Sequence, residues 1–435
     1  MGLGGMQINQ IKRAHFIAIG GVGMSGIAWV LLDRGIAVSG SDLSDNRMIR
    51  RLTARGAHCF AGHRPEQVDG ADVVIVSTAI KEDNCELAEA RRRGIPVWHR
   101  SQALGAILNE GHSIGITGSH GKTTTTSMVG TIFDRAGLDP TIIVGGESDD
   151  FGGTAKAGKS EYVIAELDES DGSFLGLSAH RAIITNIDAE HLDHYSNYAG
   201  VIGAFQRFIR QVEEPPVVCI DDPGVCQLLE GTTRPVIRYS LSDPSADYLA
   251  AEIDVSNQDS RFGVVRDGEC LGTVILPARG RHNISNAMGA IAMAIETGVD
   301  PKISCEALSE YRGVQRRFTI RSEPAGILIV DDYGHHPSEI NATLAVGREW
   351  ADERNGRLIV VFQPHRFTRT AALTQRFGGA FSDADQVIVT GIYAAGEKPI
   401  DGVTGQLIAD SVRESGQVSI EYVERRDAVA ERLAP

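Results

Sequence analysis

Residues Gly115 to Met128 read GITGSHGKTTTTSM, and the fold turns on how this stretch is read. Ser113-Ile114-Gly115-Ile116 in front of it reads as a strand end, and Met128-Val129-Gly130-Thr131-Ile132-Phe133 behind it reads as a helix. A strand that turns sharply into a helix leaves backbone N–H groups aimed at one point, and glycines let the backbone approach an anion there. Gly118, Ser119, His120 and Gly121 form that turn, and Lys122, Thr123 and Thr124 open the helix. Lys122 can reach β- and γ-phosphates, and the hydroxyl of Thr123 can ligate Mg²⁺. The spacing departs from G-x-x-x-x-G-K-[ST], because counting back from Gly121 puts Ile116 where the first glycine would stand. An ordinary strand–turn–helix with a lone lysine leaves this coincidence of Gly118, Gly121, Lys122 and a threonine run unexplained.

The chain has 435 residues, room for two to four domains at about 150 residues each. A formal net charge of −15 argues against non-specific binding to nucleic acid or to an anionic membrane. Six cysteines are scattered without a C-x-x-C pair, as expected for reduced thiols in a cytoplasm. The apolar run Phe16 to Leu32 contains four glycines, lacks a small-residue cleavage site and is short for a membrane span, so it reads as strand–turn–helix rather than a leader.

Three blocks follow from the alternation of short apolar runs with helical patterns, which makes the chain α/β with parallel sheets. Residues 1–110 open with the strand His15 to Ile19, the turn Gly20 to Gly26, a helix Ile27 to Arg34 and a strand ending at Asp42; a further strand is Asp72 to Val76. Residues 111–314 carry the phosphate loop, strands Tyr162 to Ala165 and Ala182 to Thr185, and a small-residue helix at Asn286 to Glu296. Residues 315–435 carry strands Ile327 to Val330, Leu358 to Phe362 and Gln386 to Val389.

Each block has polar residues at a strand end. Gly21, Gly23 and Gly26, with Asp42 at the next strand end, fit a pyrophosphate-binding fingerprint, for which a nucleotide sugar is as good a guest as NAD. Glu166, Asp168, Glu169 and Asp171 crowd one strand end, and alternation puts Glu166 and Asp168 on one face; such carboxylates suit Mg²⁺, although a solvated acidic turn has the same composition. His191 and His194 lack a third zinc ligand and read as an active-site loop. Asn283 and Ser285, after His282, read either as ligand contacts or as helix caps. Asp331-Asp332-Tyr333-Gly334-His335-His336-Pro337 and Gln363-Pro364-His365-Arg366-Phe367-Thr368-Arg369 each follow a strand, and the two arginines suit a carboxylate or phosphate clamp.

Taken together, IGGVGMSGIA, GSHGKTTTTSM, ELDESDGSF, TNIDAEHLDHY, GRHNISNA, RRF, DDYGHHP, QPHRFTR and YAAGE resemble, in this order, the Mur ligase family, ATP-dependent amide-forming enzymes of peptidoglycan precursor synthesis. The resemblance implies three α/β domains: a Rossmann-like N-terminal domain for a UDP-sugar, a P-loop ATPase-like central domain, and a Rossmann-like C-terminal domain for the amino acid. DESDGSF with EHLDHY favours an L-alanine ligase over a relative that attaches a preformed tripeptide. By resemblance the substrates are UDP-N-acetylmuramate, L-alanine and ATP, joined through an acyl-phosphate with domain closure. Lys122 and Thr123 would hold phosphates and Mg²⁺, with Glu166 a ligand of one Mg²⁺ and His191 a ligand of a second. His282 and Asn283 would contact adenine, and Arg317 with Asp332 would hold ATP. Tyr333, His335, His365, Arg366 and Arg369 would line the amino-acid site, and Gly21, Gly23, Gly26 and Asp42 would receive the UDP moiety. Lys122, His191, His335, Arg366 and Arg369 are the expected catalytic residues.

Two departures stand out. Thr154 and Lys156 replace asparagine and arginine that family members often carry, at positions expected to touch the sugar nucleotide. The sequence ends at Pro435, before an apolar strand and Gly-rich turn usual in the family, which predicts a C-terminal domain short of part of its sheet and reduced in stability. Two other classes compete: an NAD-dependent oxidoreductase, which leaves Lys122 and the acidic cluster without a role, and a nucleotide-sugar-binding protein without turnover. Nothing in the sequence specifies oligomeric state.

Overall fold

Strand β1 (Arg13–Ile17) is buried from its second residue on, because neighbouring strands and helices cover both of its faces. In the computed structural model, which describes residues 7–255, 259–416 and 418–433, the chain forms two compact units, Met1–Gln315 and Arg316–Pro435. The first unit opens with β1, α1 (Val22–Asp33), β2 (Ala37–Asp42), α2 (Arg47–Ala54), β3 (His58–Ala61), β4 (Val73–Val76), α3 (Cys85–Arg92), β5 (Val97–His99) and α4 (Arg100–Leu108). These five strands run parallel in the order β3-β2-β1-β4-β5, the order of half a dinucleotide-binding fold.

The first strand ends two residues before the Ile19 expected from hydrophobicity. Ala18 takes φ 63°, outside the extended region, and turns the chain. Helix α1 in turn begins at Val22 rather than Ile27, since Ser25 N–H already donates to Gly21 O at 2.8 Å. Gly23 and Gly26 therefore lie within the helix, where they serve close approach and not chain reversal.

The second sheet of this unit is built from β6 (His112–Thr117), β7 (Thr141–Ser148), β8 (Gly153–Lys156), β9 (Tyr162–Glu166), β10 (Arg181–Ile184), β11 (Val217–Cys219), β12 (Ile237–Ser240), β13 (Tyr248–Asp254), β14 (Ser260–Arg266) and β15 (Glu269–Leu276). Its order is β15-β14-β13-β12-β11-β10-β6-β9-β7-β8, parallel through the middle and antiparallel at both edges. Helix α5 (Lys122–Arg135) follows β6. Helices α6 (Leu192–Tyr195), α7 (Tyr198–Gln211), α8 (Pro223–Glu230), α9 (Arg281–Glu296) and α10 (Pro301–Ser309) complete the unit. One core packs Met128, Val129, Ile132 and Phe133 of α5 against the β6, β9 and β10 side chains and the small-residue helix α9. A second core runs from the first sheet to the other face of the second, so that α1 lies on β7 and β8. Gly26 permits this: a Cβ there would stand 3.3 Å from Thr154 O.

The second unit pairs β16 (Thr319–Ser322) with β17 (Ile329–Asp331) antiparallel. Helix α11 (Pro337–Glu353), β18 (Ile359–Phe362), α12 (Phe367–Phe377), β19 (Gln386–Thr390), α13 (Gln406–Ser415), β20 (Ser419–Val423) and α14 (Val429–Leu433) follow. Strands β18, β19 and β20 form a parallel sheet in chain order. The strand expected at Ile327 to Val330 is shifted, because Ala325 at φ 51° and a single 3₁₀ turn occupy the preceding residues. Pro435, where the sequence ends, lies outside the described residues. Among the described residues no helix is long and apolar enough to cross a membrane.

Candidate active site

The GSHGK turn hangs between the ends of β6 and α5. Gly118 at φ 135° and Gly121 at φ 79° take backbone angles that only glycine adopts without strain, and a Cβ on either would clash, with Thr185 Oγ1 and Asn286 Oδ1 respectively. The segment after β10 fixes the loop. His120 N–H donates to Asn186 Oδ1 (2.8 Å), Asp188 N–H donates to Ser119 Oγ (2.8 Å), and Thr185 Oγ1 donates to His120 O (2.6 Å). TNIDAEH therefore holds the phosphate loop in shape from 65 or so residues away. Lys122 Nζ folds back over the turn and donates to Ser119 O (2.9 Å) and Glu169 Oε1 (3.0 Å), and also to Gly118 O. Thr123 and Thr124 are buried at the start of α5.

Around Lys122 the carboxylates differ sharply. Burial works against the lysine's charge, but Glu169, Glu166 and Asp168 outweigh it and raise its pKa above the ordinary value. Burial pushes the Glu169 carboxyl up to about 8, with Lys122 opposing. Burial would also raise Asp168, yet Arg100 and Lys122 hold it well below the usual carboxylate range. Glu166 Oε2 accepts from Gly145 N–H at 2.8 Å, and a side chain on Gly145 would collide with it. His191 sits at φ 53° at the start of α6, its Nε2 3.7 Å from Glu169 Oε1 and 3.5 Å from Glu190 Oε2. Ligand atoms of Glu169, Glu190 and His191 all fall within 4.8 Å of one another, a set of oxygen and imidazole donors able to hold a divalent cation. Glu169 was one of an acidic group in the sequence, but nothing singled out its contact with His191, and Glu190 gave no signal beyond adjacency.

The start of α1, through Gly23 and Ile27, forms one wall of a cavity of about 170 Å³ that reaches Glu166 and Asp168. Gly23 lines it, whereas Gly26 is buried beneath β8. Asp42 Oδ2 accepts from Gly20 N–H at 3.0 Å and so braces the turn from the end of β2. Neither Thr154 nor Lys156 lines the cavity: Thr154 is buried under α1, and Lys156 pairs with Asp134 and with Asp139 at 2.8 Å. Asn283 and Ser285 are not N-caps either. Gly280 holds that place, Asn283 Nδ2 donates to Arg279 O at 2.9 Å, and His282 is exposed on the first turn of α9.

In the second unit, the two loops after β17 and β18 bring five aromatic and basic residues together. The Tyr333 and His335 rings meet edge to face at 5.0 Å, and the His335 and His365 rings lie 5.4 Å apart. Arg369 Nη1 stands 3.2 Å from His365 Nδ1. Burial lowers the pKa of His335 to about 3; burial and then Arg369 lower that of His365 to about 4, so both imidazoles are neutral near pH 7. Arg366 carries φ 71° at the start of α12, and its N–H donates to Tyr393 O at 2.9 Å. Asp332 is spent on structure: it accepts from Phe318 N–H (2.7 Å), Gly334 N–H (2.6 Å) and Thr343 Oγ1 (3.2 Å). Arg317 Nη1 lies 3.5 Å from Glu339 Oε1.

Parallel α/β sheets, a glycine of the first helix start lining a cavity, and a lysine-bearing loop among carboxylates define a protein of the phosphate-loop α/β class. Comparison with known proteins narrows this. Residues 13–112 match the Mur ligase family catalytic domain, 116–294 the Mur ligase middle domain, and 316–434 the Mur ligase glutamate ligase domain. The chain belongs to the Mur ligase family. It is 45% identical over 424 residues to a UDP-N-acetylmuramate–L-alanine ligase of Pelotomaculum thermopropionicum, covering 97% of this chain and 91% of the relative. It is 46% identical over 428 residues to the protein of that name in Anaeromyxobacter dehalogenans, covering 97% and 93%. Among solved structures, a UDP-N-acetylmuramate–alanine ligase of Thermotoga maritima matches with a TM-score of 0.82 at 29% identity, over 98% of this chain and 93% of that one.

Proposed function

We propose that this protein joins L-alanine to the carboxyl group of UDP-N-acetylmuramate with cleavage of ATP, a step of peptidoglycan precursor synthesis in the cytoplasm. The observation that carries this reading is the 45–46% identity to relatives of that name across 97% of the chain, which takes in the phosphate loop, the acidic strand end and the histidine–arginine clamp. Residues 1–110 receive the UDP-sugar, 111–314 ATP and 315–435 the amino acid.

The muramic carboxylate attacks the γ-phosphorus of ATP. A new P–O bond forms, the bond to the ADP oxygen breaks, and ADP leaves. Lys122 and the N–H groups of Gly121 to Thr124 at the start of α5 spread the charge that develops on the transferred phosphoryl oxygens. Mg²⁺ at Thr123 and Glu166, and a second Mg²⁺ at His191 with Glu169 and Glu190 beside it, would neutralise phosphate charge. The amine of L-alanine then attacks the acyl carbon; the C–N bond forms, the C–O bond to phosphate breaks, and one proton leaves the nitrogen. His335 and His365, uncharged near pH 7, line the site for the incoming amine without repelling it, and Arg366 and Arg369 are suited to hold the amino-acid carboxylate. His282 and Asn283 face adenine, and Arg317 holds ATP phosphate.

The test is phosphate release from MgATP in the presence of UDP-N-acetylmuramate, with and without L-alanine. Release is expected only when both are present, and Lys122→Ala is expected to abolish it while sparing UDP-sugar binding. Release with a preformed tripeptide but not with L-alanine would overturn the acceptor assignment, and normal turnover by Lys122→Ala would overturn the loop assignment.

A further inference from the structure

Val144 to Glu147, at the end of β7, belong to none of the motifs that carry the family resemblance. Strand β7 pairs with β9 only from Thr141 to Ile143, and its register with β8 breaks between Ile143 and Ser148, so among the described residues Val144 to Glu147 have no strand partner in either neighbour. Other groups hold them. Gly145 N–H donates to Glu166 Oε2 at 2.8 Å. A Cβ on Gly146 would stand 3.1 Å from Thr123 Cγ2 and 3.0 Å from Val314 Cγ1. Glu147 O accepts from Gln315 N–H at 2.8 Å, and Gln315 is the last residue before the second unit. Glu147 Oε2 lies 3.1 Å from Arg47 Nη1 and 3.2 Å from Arg51 Nη1. Both arginines belong to α2, whose N-cap Asn46 donates through Nδ2 to Gly20 O at 3.3 Å.

Glu147 thus stands between the first glycine turn, reached through α2, and Thr123 and Glu166 beside the phosphate loop. Its side chain is 20% exposed and that of Arg47 61%, so these ion pairs add little to stability; what they supply is position. We propose that Glu147 is a positioning residue that couples the two glycine turns: it sets the Gly145–Gly146 peptide against Glu166 and Thr123, so that a sugar nucleotide on the first turn and ATP on the phosphate loop each tighten the binding of the other. The proposal rests on the assignment of those two ligands given above. Two successive glycines outside the strand ladder shift at low cost, because neither side chains nor sheet hydrogen bonds pin them. A ligand on the first turn bears on Gly20, and through Asn46 on α2 and its arginines. A ligand on the phosphate loop bears on Thr123. Both therefore act on one short peptide, and coupling of two ligands through a shared element is reciprocal.

The experiment is calorimetric titration of the full chain with UDP-N-acetylmuramate, alone and with the non-hydrolysable β,γ-imido analogue of ATP and Mg²⁺ at saturation. In the wild type the analogue is expected to tighten sugar-nucleotide binding by about five- to tenfold. In Glu147→Gln each ligand alone should bind within about twofold of the wild type, while the ratio between the two titrations falls to about one. The thermal midpoint of that variant should move by no more than about 2 °C, as for a surface ion pair. Glu147→Asp, which keeps the charge on a shorter stem, should retain part of the ratio. A purely structural residue would give the opposite pattern: a lower midpoint, weaker binding of both ligands and an unchanged ratio. That pattern overturns the proposal, as does a wild-type ratio of one although both ligands bind, or a wild-type ratio in Glu147→Gln. Should Glu147→Gln not fold, the double variant Arg47→Gln/Arg51→Gln, which removes the same ion pairs from the other side, decides the question. Failure of the wild type to bind one ligand overturns the assignment of that ligand to its turn, and this proposal with it.

Discussion

The two glycine turns of the first unit look alike in sequence and work by different physics. At the start of α5, Gly118 and Gly121 are needed for their backbone angles, and the cation that serves the site, Lys122, is the next residue in the chain. At the start of α1, Gly21 has φ −66° and none of Gly20, Gly21, Gly23 or Gly26 has positive φ. There the glycines are needed for what comes near them: Asp42 and Asn46 at Gly20, Arg100 at Gly23, and the β8 backbone at Gly26. Strand–glycine–helix is thus one local pattern with two causes, torsional as well as steric at α5 and steric alone at α1.

That contrast is open to direct attack. The largest expected effect is that of Lys122→Ala, which removes the local cation of the second turn; phosphate release should fall by about 10²–10³-fold or more, since preorganised charge of this kind is worth that much in phosphoryl and acyl transfer. Alanine at the paired glycines should then separate the two turns. Gly121→Ala forces φ 79° on a residue with a Cβ and drives that Cβ into Asn286, so a loss of about 1–3 kcal/mol and a lower thermal midpoint are expected. Gly23→Ala lies in a helix against the end of a flexible arginine, so thermal stability should hold within about 1 kcal/mol, alanine being the better helix former. Its defect should appear instead as weaker UDP-sugar binding in calorimetry. If Gly23→Ala melts as early as Gly121→Ala, the torsional–steric distinction fails.

A smaller effect sharpens the comparison of the first unit with the second, where neutral histidines replace the charged lysine at the centre of the site. The folded-state pKa values of His335, about 3, and His365, about 4, lie below the unfolded value near 6.5. Between these limits the unfolded chain binds more protons, so the stability contribution of the two imidazoles is complete above about pH 6.5 and is lost as pH falls toward 4 and then 3. Urea midpoints measured from pH 7.5 down to 4 should fall along this course, and His335→Asn should lessen the slope throughout the span below about pH 6.5. The smallest effect concerns Glu397, whose carboxylate accepts from Thr368 N–H (3.1 Å) and Thr368 Oγ1 (2.7 Å) and so secures the start of α12 beside Arg366. Glu397→Ala should raise KM for L-alanine a few-fold, roughly the loss of one charge-assisted hydrogen bond, with UDP-sugar affinity unchanged.

Much of the site was legible because it is written in contiguous residues. GSHGKTTTT carries its own turn angles, its own lysine and its own helix start, and DDYGHHP likewise contains the helix start at Pro337, with Glu339 two residues further on accepting from His335 N–H at 3.0 Å. Where reading failed, one element had been judged without its neighbour. The strand and helix limits around Ala18 and Val22 were set by a backbone angle that hydrophobicity does not reveal. Lys156 had a ligand role only through the family resemblance, and its pairing with Asp134 and Asp139 across the fold was not legible in the sequence.

The sequence by itself determined the α/β class, the phosphate loop and its lysine, and the membership of the strand-end motifs in one enzyme family, because each rests on residue types at fixed short spacing. Only the tertiary structure decided that Arg100 meets Asp168 across 68 residues of chain, that Glu169 and Glu190 join His191, and that Gly26 is a packing residue. Those contacts depend on which strand ends the sheet order brings side by side, and strand order is set by the burial of whole faces rather than by any short run of side chains.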